Sequence, residues 1–139
     1  MSVSILVAAV LAQTPAAPLD VTVPAVAGVT ADPTCGGRSQ LATMATCVET
    51  TQAAIGGVID VWTAEFANQG WLAAGGGENR VVYIRRRDTG GCDGFQILAF
   101  ADGEVAAPAA PAYIALAPIP GDVCATPGQA EQQPPASPQ

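Results

Sequence analysis

RVVYIRRRDTGGCDGFQILAFA, from Arg80 to Ala101, holds two runs rich in β-branched and aromatic residues, separated by a glycine-containing turn. Runs of that composition, bounded by Asn, Asp and Gly, read as the two strands of a hairpin. The first strand is expected over Arg80–Arg86. The second is expected over Phe95–Ala101, between Asp93-Gly94 and Asp102-Gly103. A third apolar run, Tyr113 to Ala117, stops at Pro118 and Pro120, since proline cannot donate to a ladder.

Upstream of the hairpin the apolar spacing changes. Leu41, Met44, Val48, Ile55, Ile59, Trp62 and Phe66 follow one another at steps of three, four or seven, which keeps one helical stripe facing one way. Glu49, Gln52 and Asp60 fall off the stripe, on the wet side. Gly56-Gly57 interrupts it, and each glycine costs about 1 kcal/mol against alanine inside a helix. The spacing therefore predicts a helix from Arg38 or Ser39 to Asn68, kinked or broken at the glycine pair. Trp71 to Glu78, WLAAGGGE, reads as a loop. The expected fold class is α+β, with one long or kinked helix packed on a small antiparallel sheet of three to four strands. That packing would bury Leu41, Met44, Ile55, Ile59, Trp62 and Phe66 against Val82, Ile84, Phe95, Ile97, Ile114 and Leu116.

The chain has 139 residues, enough for one domain. Residues 1–12 carry a short apolar run, Val3–Ala12, too short to span a bilayer but suited to a signal peptide, although Met1-Ser2 lacks the usual positive side chain. Residues 13–32 are Pro/Ala-rich and read as an extended linker, in which Val21-Thr22-Val23 is a candidate edge strand. The α+β domain is placed at 33–124. Residues 125–139, rich in Pro and Gln, read as a disordered tail.

Cys35, Cys47, Cys92 and Cys124 are even in number and widely spaced, behind an apolar N-terminus. That pattern reads as disulfides in an oxidising compartment, so a periplasmic or secreted protein is expected. Antiparallel pairing of the second and third strands, with Phe95 near Ile119 and Ala101 near Tyr113, carries Cys92 to the vicinity of Cys124. Cys35 and Cys47 are then left for each other. The difficulty is reach: on a helix from Arg38, Cys47 lies roughly 13 Å along the axis, whereas bonded cysteines need Cα atoms within about 7 Å. The nested pairing, Cys35–Cys124 with Cys47–Cys92, avoids this and stays open beside the preferred sequential one.

Composition narrows the function. A net charge of −7, with five arginines and no lysine, gives no electrostatic footprint for nucleic acid or an anionic membrane surface. No stable membrane span is expected. Histidine is absent, and Ser39 is the one serine outside the tails, which leaves no basis for a serine triad or a His-ligated metal. No paired short Cys spacing builds a zinc site, and no cofactor is expected. Asp60 and Glu65 are rotated by about 140° on a helix and do not converge as an acid/base pair.

Asp88-Thr89-Gly90 resembles the D-T-G of aspartic proteases over those three residues. The resemblance implies a catalytic Asp88, which needs a second carboxylate sharing one proton. Here no second D-T-G exists, and Asp, Thr and Gly are also what a polar turn selects. Arg85-Arg86-Arg87 could bind an anion, but alternation on a strand sends Arg86 to the face opposite Arg85 and Arg87. Trp71, beside the glycine run, Tyr83, Arg85 and Arg87 are the candidate binding residues. The function expected is a non-catalytic binding or accessory module with a protein or envelope partner. A structural assembly component and a small hydrolase using Asp88 are the alternatives.

Overall fold

A computed structural model describes residues 20–101, 103 and 106–124. Six strands form one antiparallel sheet: β1 Thr30–Ala31, β2 Thr46–Thr51, β3 Leu72–Gly77, β4 Arg80–Arg86, β5 Cys92–Phe100 and β6 Pro111–Ile119. Their order across the sheet is β1-β2-β6-β5-β4-β3. Two helices complete the elements, α1 Ser39–Ala42 and α2 Ile55–Asn68. The fold is α+β, with a larger sheet than the three to four strands expected.

Two segments account for the difference. The first is Thr46–Thr51, TCVETT, which the apolar spacing assigned to the helix. Four of its six residues are β-branched, and such side chains lose rotamer freedom in a helix but pack well on a pleated sheet. It pairs with β6 from Thr46↔Leu116 to Thr51↔Pro111, and the long helix becomes the four-residue α1, a strand and α2. The second is Leu72–Gly77, LAAGGG, read as a loop. It pairs with β4 from Leu72↔Ile84 to Gly77↔Arg80, with a bulge between Ala73 and Gly75. Backbone pairing needs no side chain, so a propensity argument passes over such a strand.

The hairpin forms where it was expected, with β5 starting three residues earlier, at Cys92. The β5/β6 register sits one residue from the expected one: Phe95 opposes Pro118, and Phe100 opposes Tyr113. Pro118 lies inside β6 but beyond Leu116, where pairing with β2 ends, so its missing donor breaks no β2–β6 bond.

α2 starts without a side-chain cap, and Gly56-Gly57 fall in its first turn, where they introduce no kink. Its other end is defined more tightly. Gly70, at φ 89°, lets its N–H reach the Ala67 carbonyl and lets the Trp71 N–H reach that of Phe66, at 3.0 and 2.9 Å. This is the Schellman arrangement. It turns the chain so that Trp71 folds back into the core beside Phe66.

The main core lies between α2 and the sheet: Val58, Trp62, Phe66, Trp71, Tyr83, Phe95, Ile97 and Ile114. Met44, expected in the core, is 62% exposed in the loop before β2. On β4 the inward positions are Val81 and Tyr83 rather than Val82 and Ile84. Phe95 stacks on Tyr83 and meets Phe66 and Trp71 edge-on, every centroid distance 5.0–5.1 Å. From the expected linker, Val21, Val26 and Val29 pack on this core as well. The candidate strand Val21–Val23 is not formed, and this segment is extended as the linker reading has it; the edge strand is Thr30–Ala31. Residues 1–19 and 125–139, with the expected signal peptide and tail, lie outside the described residues.

A smaller cluster covers part of the opposite face: Cys35, Cys47 and Ala115, with Leu41, Ala42, Ala45, Leu98 and Phe100 around them. Cys35 bonds Cys47 and Cys92 bonds Cys124, with Cα separations of 5.1 and 5.2 Å. The reach problem disappears because Cys47 is on a strand, and because Cys35, Gly36 and Gly37 all have positive φ (51°, 66° and 80°), which turns the chain back. The Gly36 Cα hydrogens face the Tyr113 ring, where a Cβ would sit 3.1 Å from the nearest ring carbon.

Two predictions follow from these contacts. Trypsin cuts only after arginine in this chain. Non-reducing peptide mapping is therefore expected to show the peptide ending at Arg38 joined to Ser39–Arg80, and the peptide from Asp88 onward closed on itself; a single species joining all three would indicate the nested pairing. Separately, Thr50 Oγ1 is buried without a hydrogen-bond partner. Thr50→Val removes that orphan on a strand, and the urea midpoint should rise, by about 1 kcal/mol of stability.

Candidate functional site

The side chains expected to bind a ligand are occupied internally. Trp71 and Tyr83 are fully buried. Trp71 Nε1–H donates to the Asp20 carbonyl at 3.1 Å, and Tyr83 Oη shares a 2.7 Å hydrogen bond with Thr63 Oγ1. Burial pushes the Tyr83 phenol up from its ordinary value, opposed by the Thr63 hydrogen bond. Arg85 lies over the Trp71 ring at 4.4 Å, and its Nη1 donates to the Asp20 and Gln69 carbonyls at 3.3 and 3.4 Å. Its ion pair with Asp20, at 3.6 Å and largely exposed, is worth 1 kcal/mol or less, on the order of other surface pairs.

Together these contacts seal the C-terminal end of α2. A shallow groove of about 440 Å³ runs there, lined by Asp20, Thr22, Glu65, Gln69 and Arg85. Gln69 spans it with two 2.8 Å hydrogen bonds to the Thr22 backbone, one given and one accepted. The groove is a seam between segment 20–26 and the domain.

Arg87 serves a second seam. Its Nε–H bonds Asp93 Oδ1 at 2.7 Å, and its Nη2–H bonds the Gly121 carbonyl at 2.8 Å. Asp122 Oδ1 then accepts from the backbone N–H of Cys92 and of Cys124, both at 2.9 Å. The Cys92 N–H, next the Cys124 N–H, and to a smaller degree the Arg87 charge hold the Asp122 carboxyl below the usual carboxylate range. Asp32 is lowered similarly, first by the Thr34 hydroxyl and then by the Gly36 N–H, and it shapes the turn that carries Cys35. Each disulfide therefore has an aspartate clamping its loop.

Asp88 is exposed in the β4–β5 turn, closed by Arg87 N–H to Gly91 O at 2.9 Å and Gly90 N–H to Arg87 O at 3.2 Å. Its carboxylate stands in water, without the burial that makes two carboxylates share a proton. Among the described residues no group of three or more His, Cys, Asp or Glu side chains is placed to hold a metal ion. No helix among them is long and apolar enough to cross a membrane.

Among the described residues an apolar strip lies outside both core clusters. Strand alternation sends Arg80, Val82, Ile84 and Arg86 to the face opposite α2, alongside Leu72 of β3 and Gln96 of β5. Segment 33–45 covers the β2–β6 side of this face, and Val123 covers Gly94, where a Cβ would meet its methyl at 2.7 Å. Toward β4 and β3 the cover thins: Val82 and Ile84 are half-buried. Val82 and Ile84 belong to neither core cluster, and Leu72, opposite Ile84, is 59% exposed. Sequence reasoning assigned Val82 and Ile84 to the core because it placed the helix on the wrong face of β4. The aromatic Tyr83 was the available signal for the true inward face.

Comparison with protein-family models, with curated proteins and with solved structures found no match.

The lowered carboxyl of Asp122 fixes the sign of one pH effect. A group whose folded pKa is depressed contributes stability above its unfolded value, 3.8 for an ordinary Asp, and loses it as pH falls through the folded value. The fall in Tm between about pH 5 and pH 2 should therefore be shallower in Asp122→Asn than in the parent. An unchanged slope would remove Asp122 from the acid response.

Proposed function

We propose that this chain is an exported, non-catalytic module that binds a protein partner through the β4–β3 half of its sheet. The observation that carries the reading is the apolar strip Leu72, Val82 and Ile84, which the fold leaves outside both cores although segment 33–45 covers the neighbouring strands. Domains of this size gain stability from every apolar contact available to them. A partly exposed apolar strip beside a covered one fits an interaction surface.

Export is supported by the two disulfides, which persist in oxidising compartments, and by the apolar run Val3–Ala12. A non-catalytic role is supported by the chemistry of the chain. It has no histidine, and Trp71, Tyr83, Arg85 and Arg87 are engaged in holding its own segments together.

The test is retention of envelope proteins on immobilised protein, comparing the parent with Leu72→Glu/Val82→Glu. The expected result is a discrete set of proteins held by the parent and lost, about tenfold or more, by the double variant at unchanged Tm, in keeping with the cost of burying unpaired charge. Equal retention by both would move the binding surface elsewhere.

A further inference from the structure

We infer that the β4–β3 half of the sheet takes an extended, acidic-ended segment of another protein, added as a further strand along β3. The inference rests on the reading above and names the chemistry of the partner.

The first observation is the edge itself. β3 ends the strand order, and all six of its residues are exposed. It carries no charge and no proline, two of the devices that keep an edge strand from pairing, and its bulge between Ala73 and Gly75 leaves Gly75–Gly77 as the regular stretch. Its outward N–H and C=O groups form a template for main-chain hydrogen bonding.

The second observation is what the glycines do to the face beside that edge. Gly75 opposes Val82, and Gly77 opposes Arg80. Neither glycine has a side chain, so nothing stands between those two β4 side chains and the position of an added strand. Large apolar side chains from such a strand would lie over Gly75 and Gly77 and reach Val82, with Leu72 and Ile84 continuing the surface. Gly76 cannot be replaced without disturbing the pairing, because a Cβ there would sit 2.0 Å from the Arg80 carbonyl oxygen.

The third observation is charge. Arg80 and Arg86 are exposed at the two ends of this β4 face, and neither side chain has a hydrogen bond or ion pair among the described residues. The other three arginines are all engaged. Six residues of strand separate the free pair by about 20 Å. In a chain of net charge −7, two unpaired cations flanking an apolar strip select carboxylates at both ends of the incoming segment. A second copy of this face would bring arginine against arginine, which disfavours self-association there.

The probe is the capped peptide Asp-Thr-Leu-Thr-Leu-Thr-Asp, whose Asp and Leu side chains share one face of a strand. The control carries Lys in place of both Asp. Titration into the full-length protein, followed by amide exchange of residues 72–77, is expected to show the acidic peptide binding about tenfold tighter or more than the basic one. Protection should appear at alternate amides of β3. Arg80→Glu/Arg86→Glu should invert the preference.

Equal affinity for both peptides, or binding without protection of β3, overturns the inference, while loss of envelope proteins from Leu72→Glu/Val82→Glu would still uphold the broader reading. Protection, already in the free protein, of the outward-facing β3 amides, those not bonded to β4, also overturns it: concentration-independent protection identifies a segment of this chain on the edge, and concentration-dependent protection a second copy. Absence of both peptide binding and differential retention of envelope proteins overturns both.

Discussion

The burial of Phe95 holds the parts of this fold together. Its ring meets Tyr83 from β4, Phe66 from α2 and Trp71 from the turn after α2, each at about van der Waals contact between rings. Truncating a buried phenylalanine costs about 3–5 kcal/mol, a large share of what a domain of this size has in total. These contacts orient α2 on the sheet, decide which face of β4 points inward and draw Trp71 under Arg85. The Schellman turn at Gly70 is the local device that brings Trp71 there.

Because one face of the sheet is filled by α2, the other needs different cover. The chain supplies it in pieces, each attached covalently. Cys35–Cys47 holds segment 33–45 over β2 and β6, and Cys92–Cys124 holds residues 120–124 over the start of β5. Asp32 and Asp122 bind backbone N–H groups beside these bonds, so short loops with little apolar surface keep a single path. The cover thins toward β4 and β3, where Val82 and Ile84 are half-buried and Leu72 is exposed. The arginines follow the same logic. Those facing segments of the chain are consumed as clamps, and Arg80 and Arg86 have no such partner among the described residues.

A good part of this was legible in the chain. The strand at Arg80–Arg86 and the helix through Trp62 and Phe66 with its end at Gly70 follow from local composition and spacing, whereas the sequential disulfides were favoured by strand register with the nested pairing left open. Val48 misled, because its distance from Met44 fits a helical stripe while its neighbours Thr46, Thr50 and Thr51 prefer a strand. The two glycine-containing stretches misled in opposite directions. Gly56-Gly57 was assigned a break that a first helical turn absorbs, and Gly75–Gly77 was denied a strand that needs only backbone. The candidate site was hardly legible. Trp71 and Tyr83 read as candidate binding residues, and side-chain size could not show that they sit at the centre of the core.

What the sequence determined by itself is what depends on neighbours along the chain: turn chemistry, helix termination, the alternation that parts Arg86 from Arg85, and a cysteine count that calls for crosslinks. Only the tertiary structure decided that Thr46–Thr51 lies beside β6, that Leu72–Gly77 forms the open edge, and which face of β4 is buried. The first depends on pairing partners 60 to 70 residues away, as between Thr51 and Pro111, and the others on how much of each face the rest of the chain covers.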